Sequence, residues 1–290
     1  MPILADYHLH SRHSGDSTAP MEAQIEAAIA RGLTRICFTE HADFGFPYEK
    51  YADSIPYGFF DLDLRSYYDE CLLLKEKYAG KIRIAFGVEV GLNPDMIEEG
   101  RAFVRSAPFD FVIGSTHLCD ENALLRTADP SVPADYCDPY YPQLYDRMSD
   151  ADAYHCYFLT EHACVLASDY FDSLGHLDYV VRYGKQKEAH YSYAAFRDLI
   201  DPMLESILHR GQALELNTAS LSKGCSECNH CTDILRRYKE LGGELITVGS
   251  DAHTPEKIAS HLDTAHAILT GLGFRYYTVY ENRKPVQLPL

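Results

Sequence analysis

No stretch of the 290 residues is rich enough in Pro, Gly and Ser to serve as a linker, and no low-complexity tract or internal repeat divides the chain. One domain over residues 1–290 is therefore the expectation, at a length that α/β barrels commonly reach. Apolar runs approaching the roughly 18 residues of a membrane span are missing as well. The N-terminal MPILADYHLH turns polar too soon for a signal peptide. Positive charge is scarce: 26 Lys and Arg stand against 43 Asp and Glu, a net −17. So acidic a chain repels polyanions, which disfavours broad contact with nucleic acid. The nine cysteines are odd in number and scattered, Cys37 lying inside the apolar run RICFTE. Buried thiols in a reducing cytoplasm fit that pattern better than a disulfide framework. The expected partner is a small molecule, without nucleic acid or membrane; the oligomeric state is left open.

Short apolar, β-branched runs alternate with amphipathic stretches for almost the whole length. The runs are Ile3–His8, Arg35–Glu40, Arg83–Glu89, Phe111–His117, Ser173–Asp178, Ala213–Asn217 and Glu244–Asp251. Helices are expected over Pro20–Arg31, Leu62–Tyr78, Pro94–Val104, Ser192–Arg210, Thr232–Leu241 and Pro255–Thr270. Repeated strand–helix units argue for parallel strands with helical crossovers. Seven strands suit a seven-stranded or distorted barrel, with an open doubly wound sheet as the alternative. Leu118–Asp150, rich in Asp, Pro and Tyr, breaks the pattern and reads as a long insertion loop over the strand ends: a lid or a solvated excursion.

Nearly every strand ends in a residue type that binds metals. His8 and His10 lie two apart, on one side of the first strand. His41, Glu89, His117, His176, Asp251 and His253 end later strands, and Asp16 follows the first. In a parallel barrel these ends meet at one face, where barrel enzymes place their chemistry. One zinc takes about four ligands, so nine candidates suit three divalent ions, with Glu89 as the natural bridge. Three such ions bring about +6 and Asp16, Glu89 and Asp251 return about −3, a positive pocket that attracts phosphate. Asp6, Glu40, Asp178, Glu215 and Asn217, within two positions of strand ends, suit the acceptors that orient metal-bound imidazoles. Asp43 and Phe44 are either pocket residues or a solvated turn. His155, His162, His190, His209, His261 and His266 lack this placement. Cys225, Cys228 and Cys231, with His230 among them, have ligand-like spacing without an evident fourth ligand.

The stretches DYHLHSRHSGDS, ICFTEHADFGFP, FDFVIGSTH, GHLDYVVRYG, LELNT and GGELITVGSDAH resemble the PHP (polymerase and histidinol phosphatase) family, and most of all its monofunctional histidinol-phosphate phosphatases. The resemblance implies a distorted (β/α)7 barrel with a trinuclear centre. On this sequence it implies one ion at His8, His10, Glu89 and Asp251, a second at Glu89, His117 and His176, and a third at Asp16, His41 and His253. Some relatives have His at the place of Asp16, which bears on whether Zn, Mn or Fe is preferred. Arg182 matches an arginine that the phosphatase branch uses on the substrate phosphate; a guanidinium there can make two parallel bonds to phosphate oxygens. Asp251, Glu89 and Arg182 are thus the candidate catalytic residues. The implied reaction is hydrolysis of L-histidinol phosphate to L-histidinol and phosphate, in histidine biosynthesis. The alternatives are a related phosphoesterase acting on nucleotides or oligonucleotide ends, and a metal-dependent binding module.

Overall fold

Residues 2–290 are described in a computed structural model. Seven parallel strands curl into a nearly closed barrel. The first four are β1 (Ala5–Leu9), β2 (Arg35–Ala42), β3 (Arg83–Gly91) and β4 (Phe111–Ser115). A small antiparallel ribbon, β5 (Cys119–Asp120) with β6 (Tyr136–Cys137), intervenes. The barrel then continues with β7 (Ser173–Leu174), β8 (Ala213–Asn217) and β9 (Ile246–Gly249). Each barrel strand pairs with the one before it in the chain, and most of their residues are buried on both faces, as parallel sheets require.

The helices are α1 (Met21–Ala30), α2 (Leu64–Lys77), α3 (Ile97–Arg105), α4 (Ala123–Ala128), α5 (Gln143–Arg147), α6 (Asp150–Ala167), α7 (Tyr193–His209), α8 (Ala219–Ser222), α9 (Thr232–Glu240) and α10 (Leu262–Gly271). Local chemistry sets their ends. Asp63, Ser149 and Ser192 cap α2, α6 and α7 by accepting the N–H three residues on, and Lys75 and Lys77 sit in the last turn of α2.

The closing seam of the barrel joins the two segments that carry most of the candidate ligands. Asp251 N–H donates to the His8 carbonyl at 2.8 Å, and His10 N–H to the Ala252 carbonyl at 3.0 Å. At the opposite end an antiparallel ribbon, β10 (Tyr276–Glu281) with β11 (Lys284–Pro289), packs under the strand starts: Tyr7 Oη donates to the Tyr280 carbonyl at 3.2 Å, and the Phe111 and Tyr280 rings stack.

Several expectations shift. Strand pairing ends at Ser115 and Leu174, short of His117 and Asp178, because the chain leaves the sheet there; His176 N–H bonds the Glu215 carboxylate at 2.9 Å instead of a strand neighbour. The helix expected over Pro255–Thr270 is split, since Ala259 and His261 adopt positive φ, which ends a right-handed helix. Residues 118–150 are not structureless: they contain β5, α4, β6 and α5.

Candidate metal centre

Glu89, fully buried on β3, lies at the middle of the strand ends. Its Oε2 stands 3.2 Å from His8 Nε2, 3.1 Å from His41 Nδ1 and 3.5 Å from His10 Nε2. Its Oε1 stands 2.9 Å from His176 Nε2 and 3.3 Å from His117 Nε2. Asp251 Oδ1 faces His10 Nε2 at 3.5 Å and His8 Nε2 at 3.8 Å. Further out, Asp16 Oδ2 is 3.0 Å from His253 Nε2 and 3.5 Å from His41 Nε2. All nine candidate ligands therefore meet at one mouth.

The imidazoles are aimed by bonds at their other nitrogen. His8 Nδ1 is 2.6 Å from Glu215 Oε1, and His117 Nδ1 is 2.8 Å from Asp43 Oδ1. His253 Nδ1 meets the Asp251 carbonyl at 3.0 Å. His10 Nδ1 lies 3.1 Å from Ser14 Oγ, whose own proton goes to Glu40 at 2.6 Å, so Ser14 accepts from His10. Each ring thereby turns a bare Nε2 lone pair inward. Asp6 accepts Ser250 N–H at 2.8 Å and Ala259 N–H at 2.9 Å, fixing the chain on either side of Asp251. Asp251 itself has φ +54°, a left-handed conformation that Asp tolerates better than most residues. Gly249 is needed just before it, because a Cβ there would collide with His8 Cβ.

Glu215 bonds the His8 imidazole as expected and Glu40 acts on His10 through Ser14, whereas Asp6 touches no imidazole and braces the backbone around Asp251. Asn217 lies beside the same imidazole as Glu215, its Nδ2 3.4 Å from His8 Nδ1, and also accepts from Arg182 through Oδ1, while Asp178 braces the segment after β8 by accepting Cys231 N–H at 3.0 Å. Asp43 is buried and bonded to His117, which settles the pocket reading over the solvated turn. The residues missed around the ligands are serines: Ser11 and Ser14 on Glu40, and Ser115, which donates to Glu89 Oε1 at 2.6 Å. Only their places beside HLH and STH could have pointed to them.

The donor set fits metal ions on its own geometry. Among the described residues, His8 Nε2, His10 Nε2, His41 Nδ1 and Glu89 Oε2 are buried and have no hydrogen-bond partner, although they face one another. Lone pairs turned toward each other repel unless a cation stands between them. Two donors each about 2.1 Å from one ion at a tetrahedral angle stand about 3.4 Å apart. The separations of 2.9 to 3.8 Å bracket that spacing. Burial disfavours a charged His8, yet the carboxylates of Glu215, Glu89 and Asp251 outweigh it and push the imidazole well up, so the site favours positive charge. Burial, with His41 and His253 beside it, holds His10 well below the ordinary imidazole range, which keeps a neutral ligand nitrogen. Convergent triads include His8–His10–Asp251, His8–Glu89–His176, His10–His41–His253 and His41–Asp43–His117. Among the described residues, Cys225, Cys228 and Cys231 form no such group; they line a separate small cavity, and all nine thiols are free.

A cavity of about 470 Å³ opens above the cluster, in the size range of small-molecule sites. Arg182 lines it from a 3-10 turn, Tyr179–Arg182, and is buried. Its guanidinium donates to Asp251 Oδ2 at 2.9 Å, to Asn217 Oδ1 at 2.8 Å and to Asn229 Oδ1. Asp43, Asp138, Tyr140, Tyr141, Lys223 and Lys257 also line the cavity.

A parallel seven-stranded barrel with a polynuclear ligand cluster at its strand ends defines a class of metal-site barrels. The chain belongs to the PHP domain family, whose model matches residues 6–219. It is 32% identical over 279 residues to the histidinol-phosphatase of Lactococcus lactis, covering 96% of this chain and 95% of that one. It is 26% identical over 261 residues to the histidinol-phosphatase of Bacillus subtilis, covering 86% and 92%. A crystal structure of histidinol phosphate phosphatase from Lactococcus lactis, complexed with zinc, L-histidinol and phosphate, superposes with a TM-score of 0.81 at 29% identity, covering 98% of this chain and 99% of that one.

Proposed function

We propose that this chain is a metal-dependent phosphomonoesterase that hydrolyses L-histidinol phosphate to L-histidinol and phosphate. The observation that carries the reading is the cluster around Glu89 Oε2, where among the described residues His8 Nε2, His10 Nε2 and His41 Nδ1 have no hydrogen-bond partner and face the carboxylate oxygen. The Lactococcus lactis structure, which holds zinc, L-histidinol and phosphate, supports the substrate.

His8, His10, Glu89 and Asp251 would hold one divalent ion, Glu89, His117 and His176 a second, and Asp16, His41 and His253 a third. Bound there, such ions supply Lewis acidity toward phosphoryl oxygens and let water ionise near neutral pH. Zinc, manganese and iron all accept this set of imidazoles and carboxylates. Three of the five guanidinium N–H groups of Arg182 are engaged, which leaves two for the substrate phosphate. Asp251, bonded to Arg182 through Oδ2, presents Oδ1 toward the ligand cluster, where it orients the attacking water. The excursion at 118–150 acts as a lid on a single domain, its Tyr140 and Tyr141 limiting entry to small esters.

No helix among the described residues is long and apolar enough to cross a membrane. The nine free thiols support a reducing compartment, the cytoplasm. The test is phosphate release by metal-loaded protein from histidinol phosphate, p-nitrophenyl phosphate and mononucleotides. The expected order places histidinol phosphate first; stronger activity on mononucleotides overturns the reading.

A further inference from the structure

The roof of the cavity is built outside the barrel, from the segment after β2 and the excursion between β4 and β7. Tyr51 joins the two pieces by packing on Tyr141 at 4.5 Å between ring centroids, while Phe46 on Phe60 at 4.7 Å holds the first piece together. Into this setting the chain inserts a carboxylate, Asp138, directly after β6.

Asp138 is held firmly and yet left unpaired. Its N–H donates to Tyr51 Oη at 2.9 Å, its carbonyl accepts Tyr141 N–H at 3.1 Å, and its Oδ1 accepts Tyr140 N–H at 2.8 Å. Oδ2 has no hydrogen-bond partner among the described residues. The other carboxylates lining the cavity each have a basic neighbour: Asp16 faces His41 and His253, Asp43 faces His117, Glu89 is ringed by imidazoles, and Asp251 holds Arg182. Among the described residues Asp138 alone of the five has no imidazole, ammonium or guanidinium within salt-bridge distance. Burial consequently pushes its carboxyl up to about 7. A buried carboxylate without a counter-ion is costly unless the missing charge comes from outside the protein. Divalent ions in the neighbouring cluster would favour its ionised form.

We propose that Asp138 is the receptor for the substrate's ammonium group, a specificity-determining carboxylate that binds the amine of an amino-alcohol phosphate while Arg182 takes its phosphate. Tyr141 and Tyr179 line the same cavity. The inference rests on the phosphatase reading for the identity of the ester. It adds that selection for an amine is made by the excursion rather than by the barrel.

The test uses Asp138→Asn, which keeps the Oδ1 acceptor for Tyr140 N–H and removes only the charge. Binding of L-histidinol in the presence of phosphate, followed by calorimetry on the metal-loaded protein, is expected to weaken on the order of 30-fold, while binding of inorganic phosphate stays unchanged. In turnover, kcat/KM for histidinol phosphate is expected to fall by about as much, mainly through KM. That for 3-(imidazol-4-yl)propyl phosphate, which lacks only the amine, should hold within about twofold. Equal losses on both esters, or unchanged histidinol affinity, overturns the proposal. Wild-type protein that binds histidinol through Asp138 but does not hydrolyse histidinol phosphate overturns the phosphatase reading alone.

Discussion

Arg182 donates from Nη1 to Oδ2 of Asp251 across 2.9 Å, so the guanidinium that lines the cavity and the carboxylate that faces His10 form one hydrogen-bonded unit. Each residue fixes the other's side chain, and substitution at either tests a different half of the site.

Arg182→Ala should lower kcat/KM for histidinol phosphate by about 10²-fold, roughly 2.7 kcal/mol of transition-state stabilisation, with a raised KM. Lys should recover only part of the loss, since one ammonium cannot reproduce a two-pronged contact. Asp251 keeps a second donor, Asn217 Nδ2 at 3.4 Å, so metal content should be retained. Elemental analysis beside the kinetics separates lost phosphate binding from a collapsed centre.

Asp251→Asn should cut kcat by on the order of 10² or more while the fold survives. Asn tolerates the φ of +54° as Asp does, so no backbone strain is added. Arg182 loses its paired carboxylate, so the melting temperature should fall while unfolding stays cooperative; near-normal turnover in such a folded variant removes Asp251 from the reaction.

Protein purified without chelator should carry well over one metal ion per chain. Prolonged chelation should abolish activity and lower the melting temperature, because ions that bind only the native state stabilise it and their removal restores lone-pair repulsion around Glu89. Glu89→Gln should lose more than one equivalent, the mark of a ligand shared between two ions. Full occupancy in that variant would make Glu89 a bystander.

Much of the site was readable because metal chemistry leaves residue types at strand ends, and parallel strands gather those ends at one face. His8, His10 and Glu89 required only strand periodicity and topology. Asp43 was ambiguous, because a carboxylate two residues past His41 looks the same in a turn as in a bond to His117, a residue 74 positions away. Asp138 drew no notice, since its isolation is a property of the folded cavity. Helix α6 was missed because buried residues such as Tyr154, Tyr157, Phe158 and Glu161 blur its apolar stripe. The β10–β11 hairpin turns through Asn282 and Arg283, both at positive φ, without the Asn-Gly pair that announces such turns.

Glu161 makes a prediction independent of the metal centre. It sits within α6, and both its carboxyl oxygens are buried with no hydrogen-bond partner among the described residues. Burial, reinforced by nearby Asp178, pushes its carboxyl well above the ordinary value of 4.5. The native state therefore keeps this proton to higher pH than the unfolded chain does. Below the unfolded value both states are protonated, and Glu161 adds no pH dependence. As pH rises past it, the unfolded chain releases the proton first, so stability is lost until the folded value is reached, with a limiting slope of about 1.4 kcal/mol per pH unit. Glu161→Gln keeps a neutral side chain of similar size and removes the titration. Other groups titrate alike in both proteins and cancel in the difference. Urea midpoints measured from about pH 5 to about pH 7 should therefore diverge, with the Gln variant increasingly the more stable as pH rises. Parallel curves over that range would show that Glu161 is solvated or partnered in the native state.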